Sequence, residues 1–143
     1  MKQSLLFQPA VNVGSSDRLR FEANSLLCVA LGSAFLGTGI AKIAATGFVI
    51  DTFAGSNLAP AVLVAIGLIE LAAAVMTVIP TTRLIGTGLI STIMLGAIGY
   101  HSMRGEFLLM AIPVAALLAS LTVSFLELTL RRSSAAAAPV YAR

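Results

Sequence analysis

Two charged residues, Glu70 and Lys42, stand within apolar stretches of this 143-residue chain. Glu70 follows Gly67, Leu68 and Ile69 and precedes another leucine and a run of alanines. A charged side chain at bilayer depth is costly, about 2.5–3.5 kcal/mol for Asp, Lys or Arg on insertion scales, unless it is paired or neutralised. Such residues bind ligand head groups, relay protons or pair with one another. Glu70 is therefore the candidate acid–base group, and no other residue is assigned a catalytic role.

The positions of Lys42 and Glu70 predict that they meet. If the helices rise 1.5 Å per residue, Lys42 lies about 6 Å below the outer end of its span and Glu70 about 15 Å below the outer end of the next. Two long side chains can bridge the resulting offset of about 9 Å. We predict an ion pair or hydrogen-bonded contact, which would be either a ligand or proton site or a buried pair that fixes helix register. The sequence leaves both interpretations open.

A second polar group is expected at the outer mouth of the protein. Tyr100, His101, Arg104 and Glu106 lie close together in the sequence, on the same predicted side of the membrane as Asp51. Together they could form the rim of a pocket that opens outward. The alternative is an ordinary interfacial cap, with tyrosine and arginine at the level of the head groups.

The remaining reactive residue types are scarce. The chain has one cysteine, Cys28, and one histidine, so neither an internal disulfide nor a cysteine metal cluster is expected. We expect no metal and no covalently bound cofactor, and a quinone or lipid is the candidate ligand. Glu127 lies one helical turn before Arg131 and is expected to pair with it at the cytoplasmic surface.

The composition indicates a membrane protein. Hydrophobic residues make up 58% of the chain, charged residues 10%, and the mean hydropathy is +0.99. A soluble domain averages about 25% charged residues and could not bury so much apolar surface at this size. The net charge of +3 is better explained by membrane orientation than by nucleic-acid binding. The expected partners are the lipid bilayer and other membrane subunits, with no nucleic acid.

Four segments are long enough to span a bilayer, which takes about 20 mostly apolar residues. They cover residues 25–46, 60–79, 84–103 and 107–130. The predicted fold is all-α, an integral membrane four-helix bundle. It is preceded by an N-terminal arm over 1–24 and followed by a tail over 131–143. Residues 47–59 are too short and too polar to span, and we predict a short amphipathic outer segment there rather than a plain loop.

Lysine and arginine are distributed unequally between the two sides. The side with both termini and the second connection holds seven of them, and the other side holds only Lys42 and Arg104. The positive-inside rule then places both termini in the cytoplasm of a bacterial-type inner membrane. Small residues let helices approach closely in lipid, and the candidates for such packing are Ser33, Gly37, Gly39 and Gly67.

In combination, several short motifs resemble the DoxX-like (DoxX/DoxD-type) family of four-helix membrane proteins. They are Phe35-x-Gly37-x-Gly39-x-x-Lys42, Gly67-Leu-Ile-Glu70, Thr82-Arg83 and Met94-Leu95-Gly96-Ala97. The resemblance as a whole covers about residues 31–106. One departure is the segment 57–60, Asn-Leu-Ala-Pro, where family members often have a glycine, a hydrophobic residue and proline.

The resemblance implies an accessory subunit that anchors or assists a membrane redox complex and binds a quinone-like molecule near Lys42 and Glu70. The partner would then hold the redox cofactors, and this chain would not be an enzyme on its own. Two alternatives remain. A membrane-embedded glutamate is also found in small proton-coupled transporters, although the aromatic lining of such transporters is missing here. Glu70 could also serve as acid–base in an enzyme acting on an isoprenoid-type lipid.

Overall fold

Within residues 15–44, 49 and 59–136, which the computed structural model describes, the chain forms four long helices and no strand. They are α1 (Ser15–Ile43), α2 (Pro60–Val78), α3 (Arg83–Met103) and α4 (Ala111–Ala136). Each has the length and apolar composition needed to cross a membrane. The predicted all-α, four-span membrane fold is confirmed.

Two helix boundaries differ from those predicted. Helix α1 begins at Ser15 rather than at residue 25. The added residues contain Leu, Arg, Glu and Ala and neither glycine nor proline, so nothing in them stops a helix from continuing into the polar zone. Helix α4 starts at Ala111 rather than 107 and continues to Ala136. Pro113 is therefore in the first turn, where its missing N–H is no loss, and not inside the span as predicted.

The predicted amphipathic segment 47–59 lies almost wholly outside the described residues. Val49, which is helical and buried, and Ala59, just before α2, are the two described residues in it. Asp51, assigned to the outer rim, also lies outside the described residues.

The four helices pack in a closed ring. Helix α1 contacts α2 and α4, and α3 contacts the same two neighbours. Successive helices run antiparallel, so the start of α1, the α2–α3 turn and the end of α4 share one end of the bundle. We call this the basal end, and the end with Lys42 and the α3–α4 connection the apical end.

Glycines set the closest contacts between helices. A Cβ atom on Gly39 or Gly67 would lie 2.8 Å from the carbonyl oxygen of the other glycine, and one on Gly86 would lie 2.5 Å from the backbone nitrogen of Thr77. Ser33 and Gly37, predicted as a packing pair, are instead exposed, and a Cβ on Gly37 would meet nothing within 4 Å. Helical spacing alone does not say which face of α1 meets α2.

The side chains turned away from the ring are mostly large and apolar. Leu26, Ile112 and Phe125 are among them and are each about two-thirds exposed or more. A helix bundle can present such a surface to hydrocarbon but not to water. The bundle is therefore built for a lipid surrounding.

Candidate functional site

The structure brings Lys42, near the apical end of α1, together with Glu70, in the middle of α2. The Nζ atom of Lys42 lies 2.9 Å from Oε1 and 2.8 Å from Oε2 of Glu70. The contact between Gly39 and Gly67, each three residues before its charged neighbour, holds the two helices at close range. Glycine at both positions therefore lets the two side chains meet over a short distance.

The two partners differ in burial. The Glu70 side chain is 3% exposed and that of Lys42 is 15% exposed. An ammonium carries three N–H donors, and among the described residues Glu70 takes two of them. The carboxylate is thus compensated, and one of the three donors of the partly exposed lysine has no partner among the described residues.

A second ion-pair cluster lies at the basal end, where sequence reasoning expected only a surface pair. Glu127 accepts hydrogen bonds from Arg83 Nη1 at 2.8 Å, Arg131 Nε at 2.8 Å and Asn24 Nδ2 at 3.1 Å. The predicted Glu127–Arg131 contact is present, but Glu127, Arg83 and Asn24 are all buried. The signal was available in the sequence, since Glu127, like Glu70, stands between two large aliphatic residues.

Arg83 also caps the C-terminal end of α2. Its Nε donates to the carbonyl of Thr77 at 3.2 Å and its Nη2 to that of Val78 at 3.5 Å. The last carbonyls of a helix lack intrahelical partners, so the guanidinium satisfies groups that lipid could not. This cluster connects all four helices at one level of the bundle.

Hydroxyl pairs continue from this cluster toward the membrane centre. Thr87 Oγ1 lies 2.8 Å from Ser124 Oγ, and Ser91 Oγ lies 2.8 Å from Ser120 Oγ. With the Arg83–Glu127 pair they form three successive polar contacts between α3 and α4. Such interhelical bonds are typical of packed membrane helices, and their role here is to hold the α3–α4 pair in register.

At the apical end, the rim residues converge on Glu106. Arg104 Nε lies 2.6 Å from Oε1 of Glu106, and His101 Nδ1 lies 2.7 Å from Oε2. The Arg104 guanidinium also lies 5.6 Å from the centre of the Tyr100 ring. The hydrogen bond from Arg104, followed by that from His101, lowers the pKa of the Glu106 carboxyl, and the same bond from Glu106 raises the pKa of Arg104. Tyr100, His101, Arg104 and Glu106 are thus brought together as predicted, and Asp51 lies outside the described residues.

An apolar groove runs between α1 and α2, apart from the ion pair. Its volume is about 300 Å³, and it is lined by Gly32, Ser33, Leu36, Ala74, Val75, Val78 and Ile79. Neither Lys42 nor Glu70 lines it. Leu36 precedes Lys42 by about 9 Å of helix at 1.5 Å per residue, so the groove and the ion pair belong to successive levels of one helix pair.

The model of the DoxX-like family matches residues 26–123. The chain belongs to this family. No curated protein and no solved structure matches it. The segment that matches the DoxX-like model includes Lys42, Glu70 and Arg83 and ends shortly before Glu127, so the basal cluster combines residues from inside and outside the matched segment.

The polar groups of this DoxX-like protein are suited to charge pairing and hydrogen bonding. In the described part of the chain, no group of three or more His, Cys, Asp or Glu side chains could hold a metal ion. Cys28 is buried in α1. Among the three clusters, the Lys42–Glu70 pair has the arrangement most suited to a ligand, because a strong donor is partly accessible beside a buried carboxylate.

Proposed function

We propose that this DoxX-like protein is an accessory membrane subunit that anchors or assists a membrane redox complex and binds a quinone-like apolar molecule beside Lys42. The observation that carries the proposal is the geometry of the Lys42 ammonium. Its contact with both oxygens of Glu70 fixes the Nζ atom in place. One N–H remains for a carbonyl oxygen, which is the group that a quinone presents.

Glu70 has a supporting role in this proposal. Its carboxylate orients the lysine ammonium, and a charged donor makes hydrogen bonds about twice as strong as a neutral one. A quinone carbonyl that enters from the lipid side gains this bond without breaking the ion pair. The apolar groove on the same two helices suits an isoprenoid chain, because its lining is almost entirely hydrocarbon.

The redox centres are assigned to a partner. The described residues offer charge pairs and hydroxyls but no set of metal ligands, and the resemblance to the DoxX-like family implies a membrane oxidoreductase as partner. The assignment is tested by purification in mild detergent. Co-purification of a redox subunit in fixed ratio is expected, and a monodisperse preparation of this chain alone that still supports quinone reduction would contradict it.

We further propose that the basal end faces the cytoplasm of a bacterial-type inner membrane, on the positive-inside argument. The chain is suited to a cysteine-accessibility test because its natural Cys28 is 1% exposed. Cysteine introduced at Ser134, an exposed basal position, should react only after the membrane is opened. Cysteine at Met103, which is 92% exposed at the apical end, should react in intact cells, and the reverse pattern would refute the orientation.

The ligand is tested by extraction. Protein purified in mild detergent should carry quinone at a ratio that falls in a variant with Lys42→Met and Glu70→Leu together. This double change removes both charges, so neither is left unpaired in the membrane. The matched control is Arg104→Gln with Glu106→Gln, which removes an ion pair at the same end of the bundle and should keep the quinone.

A further inference from the structure

The basal ends of α1 and α4 are aligned by one buried hydrogen bond. Asn24 on α1 donates to Glu127 on α4 at 3.1 Å, and the two helices pack against each other. Since they run antiparallel, moving backward along α1 and forward along α4 leads toward the same membrane surface. The Asn24–Glu127 bond therefore fixes which residues of the two helices share a level at that surface.

Arg20 and Arg131 are the pair that shares the next level. Arg20 is four residues before Asn24, and Arg131 is four residues after Glu127. Residues four apart lie one above the other on a helix face. Arg20 is therefore about 6 Å closer to the basal surface than Asn24, and Arg131 is closer than Glu127 by the same distance. Arg20 is exposed, and the Arg131 side chain is 45% exposed. The register places these two partly or fully exposed arginines at one level of the basal end, one on each of the two packed helices.

The local charge does not balance. Glu127 is shared by Arg83 and Arg131, so one carboxylate already compensates two guanidinium groups. Arg20 adds a third, and no described carboxylate is bonded to it. Glu22 is nearby, but a separation of two residues puts it on a different face of α1. Among the side chains that the structure describes, a pair of arginines beside a shared carboxylate leaves a net positive charge at the seam between α1 and α4.

We infer that the Arg20–Arg131 seam binds the phosphate of an anionic phospholipid head group at the basal surface of the membrane. Guanidinium groups bind phosphate oxygens through two parallel hydrogen bonds. Basic pockets between helices at the membrane surface bind head groups of this kind. The bond from Arg131 Nε to Glu127 and that from its Nη2 to the carbonyl of Pro80 hold this guanidinium in place and leave its Nη1 donors for the lipid.

The test is native mass spectrometry of the full chain in detergent with equal amounts of phosphatidylglycerol and phosphatidylcholine. The wild-type protein should retain phosphatidylglycerol preferentially. Arg20→Gln should lower that preference by about fivefold, the equivalent of about 1 kcal/mol for one arginine at a membrane surface. Arg20→Lys should restore part of it, because it keeps the charge but not the two parallel bonds.

Arg18→Gln is the matched control, since it removes the same charge from an exposed position of the same helix six residues from Asn24, on another face. The preference of Arg18→Gln for phosphatidylglycerol should stay near that of the wild type. Equal losses in Arg18→Gln and Arg20→Gln would show general charge attraction and overturn the site, as would no preference in the wild type. If inorganic phosphate protects the delipidated protein against heat as well as phosphatidylglycerol does, the lipid assignment is wrong. Circular dichroism of each variant confirms that the helices remain.

Discussion

Lys42 bonds both carboxylate oxygens of Glu70, at 2.9 and 2.8 Å, across the α1–α2 contact. Glu70 is almost fully buried, and Lys42 is the side chain that compensates its carboxylate. Glu70→Gln or Lys42→Met alone should destabilise the protein by about 3 kcal/mol, since each leaves an uncompensated charge. The double variant with Lys42→Met and Glu70→Leu should recover most of that loss. Thermal unfolding in detergent measures all three, and a double variant no more stable than the single ones would contradict this account.

Replacing Glu127 should destabilise the fold more than replacing Glu106. Glu127 accepts bonds from three side chains and lies beside the buried Arg83. Glu127→Ala would leave that guanidinium without its ion-pair partner, and a loss of about 3 kcal/mol or more is expected. Glu106→Gln at the apical surface is the comparison and should change stability little, because exposed ion pairs contribute little. Comparable unfolding temperatures for the two variants would refute the assignment.

The α2–α3 contact at Gly86 should tolerate no side chain. A Cβ there would lie 2.5 Å from the backbone nitrogen of Thr77 and 2.6 Å from its hydroxyl oxygen. Gly86→Ala should therefore destabilise by about 1–3 kcal/mol through overpacking. Gly88→Ala is the matched control on the same helix, with nothing within 4 Å. It should be neutral or stabilising, because alanine favours a helix over glycine by about 1 kcal/mol. Equal changes in the free energy of unfolding for Gly86→Ala and Gly88→Ala would show that α2 and α3 are further apart than in this structure.

Glu106 gives the apical cluster a dependence on pH. The bonds from Arg104 and His101 lower the pKa of this carboxyl, so the ionised form stabilises the folded state above the ordinary glutamate range. That contribution disappears as the pH falls through the lowered pKa. The stability difference between wild type and Glu106→Gln should be largest near neutral pH and vanish in acid. In an Arg104→Gln background, Glu106→Gln should change the stability less. An unchanged stability difference would exclude Arg104 as the main cause of the lowered pKa of Glu106.

The sequence predicted the fold well because membrane spans have a strong signal. Four apolar runs of the right length, separated by proline and charged residues, fit few folds other than an all-α membrane bundle. The proximity of Lys42 and Glu70 followed from the helix rise and from the antiparallel connection of α1 to α2. Both arguments use the lengths of the apolar segments and the distance of a residue from the end of its segment, which can be counted in the sequence.

Glu127 is flanked by large aliphatic residues, as Glu70 is, but the burial of Glu127 and its partners in the basal cluster could not be predicted in the same way. The expected end of the last span at residue 130 placed Glu127 at the surface, whereas α4 continues to Ala136 and buries it. Asn24 was assigned to an arm before the first span, yet α1 already includes it. Which faces of four helices meet depends on their rotation about their axes. That rotation is set by contacts such as Gly39–Gly67 and Gly86–Thr77 and not by hydropathy.

The most direct test of the proposed function is quinone binding to the reconstituted protein. A short-chain quinone should bind the wild type and the control with Arg104→Gln and Glu106→Gln equally. Binding to the variant with Lys42→Met and Glu70→Leu should fall about tenfold, as expected from the loss of one charge-assisted hydrogen bond of about 1.4 kcal/mol or more. Equal affinity in all three proteins, with the helices intact, would contradict a quinone site at Lys42 and leave the Lys42–Glu70 pair as a structural contact.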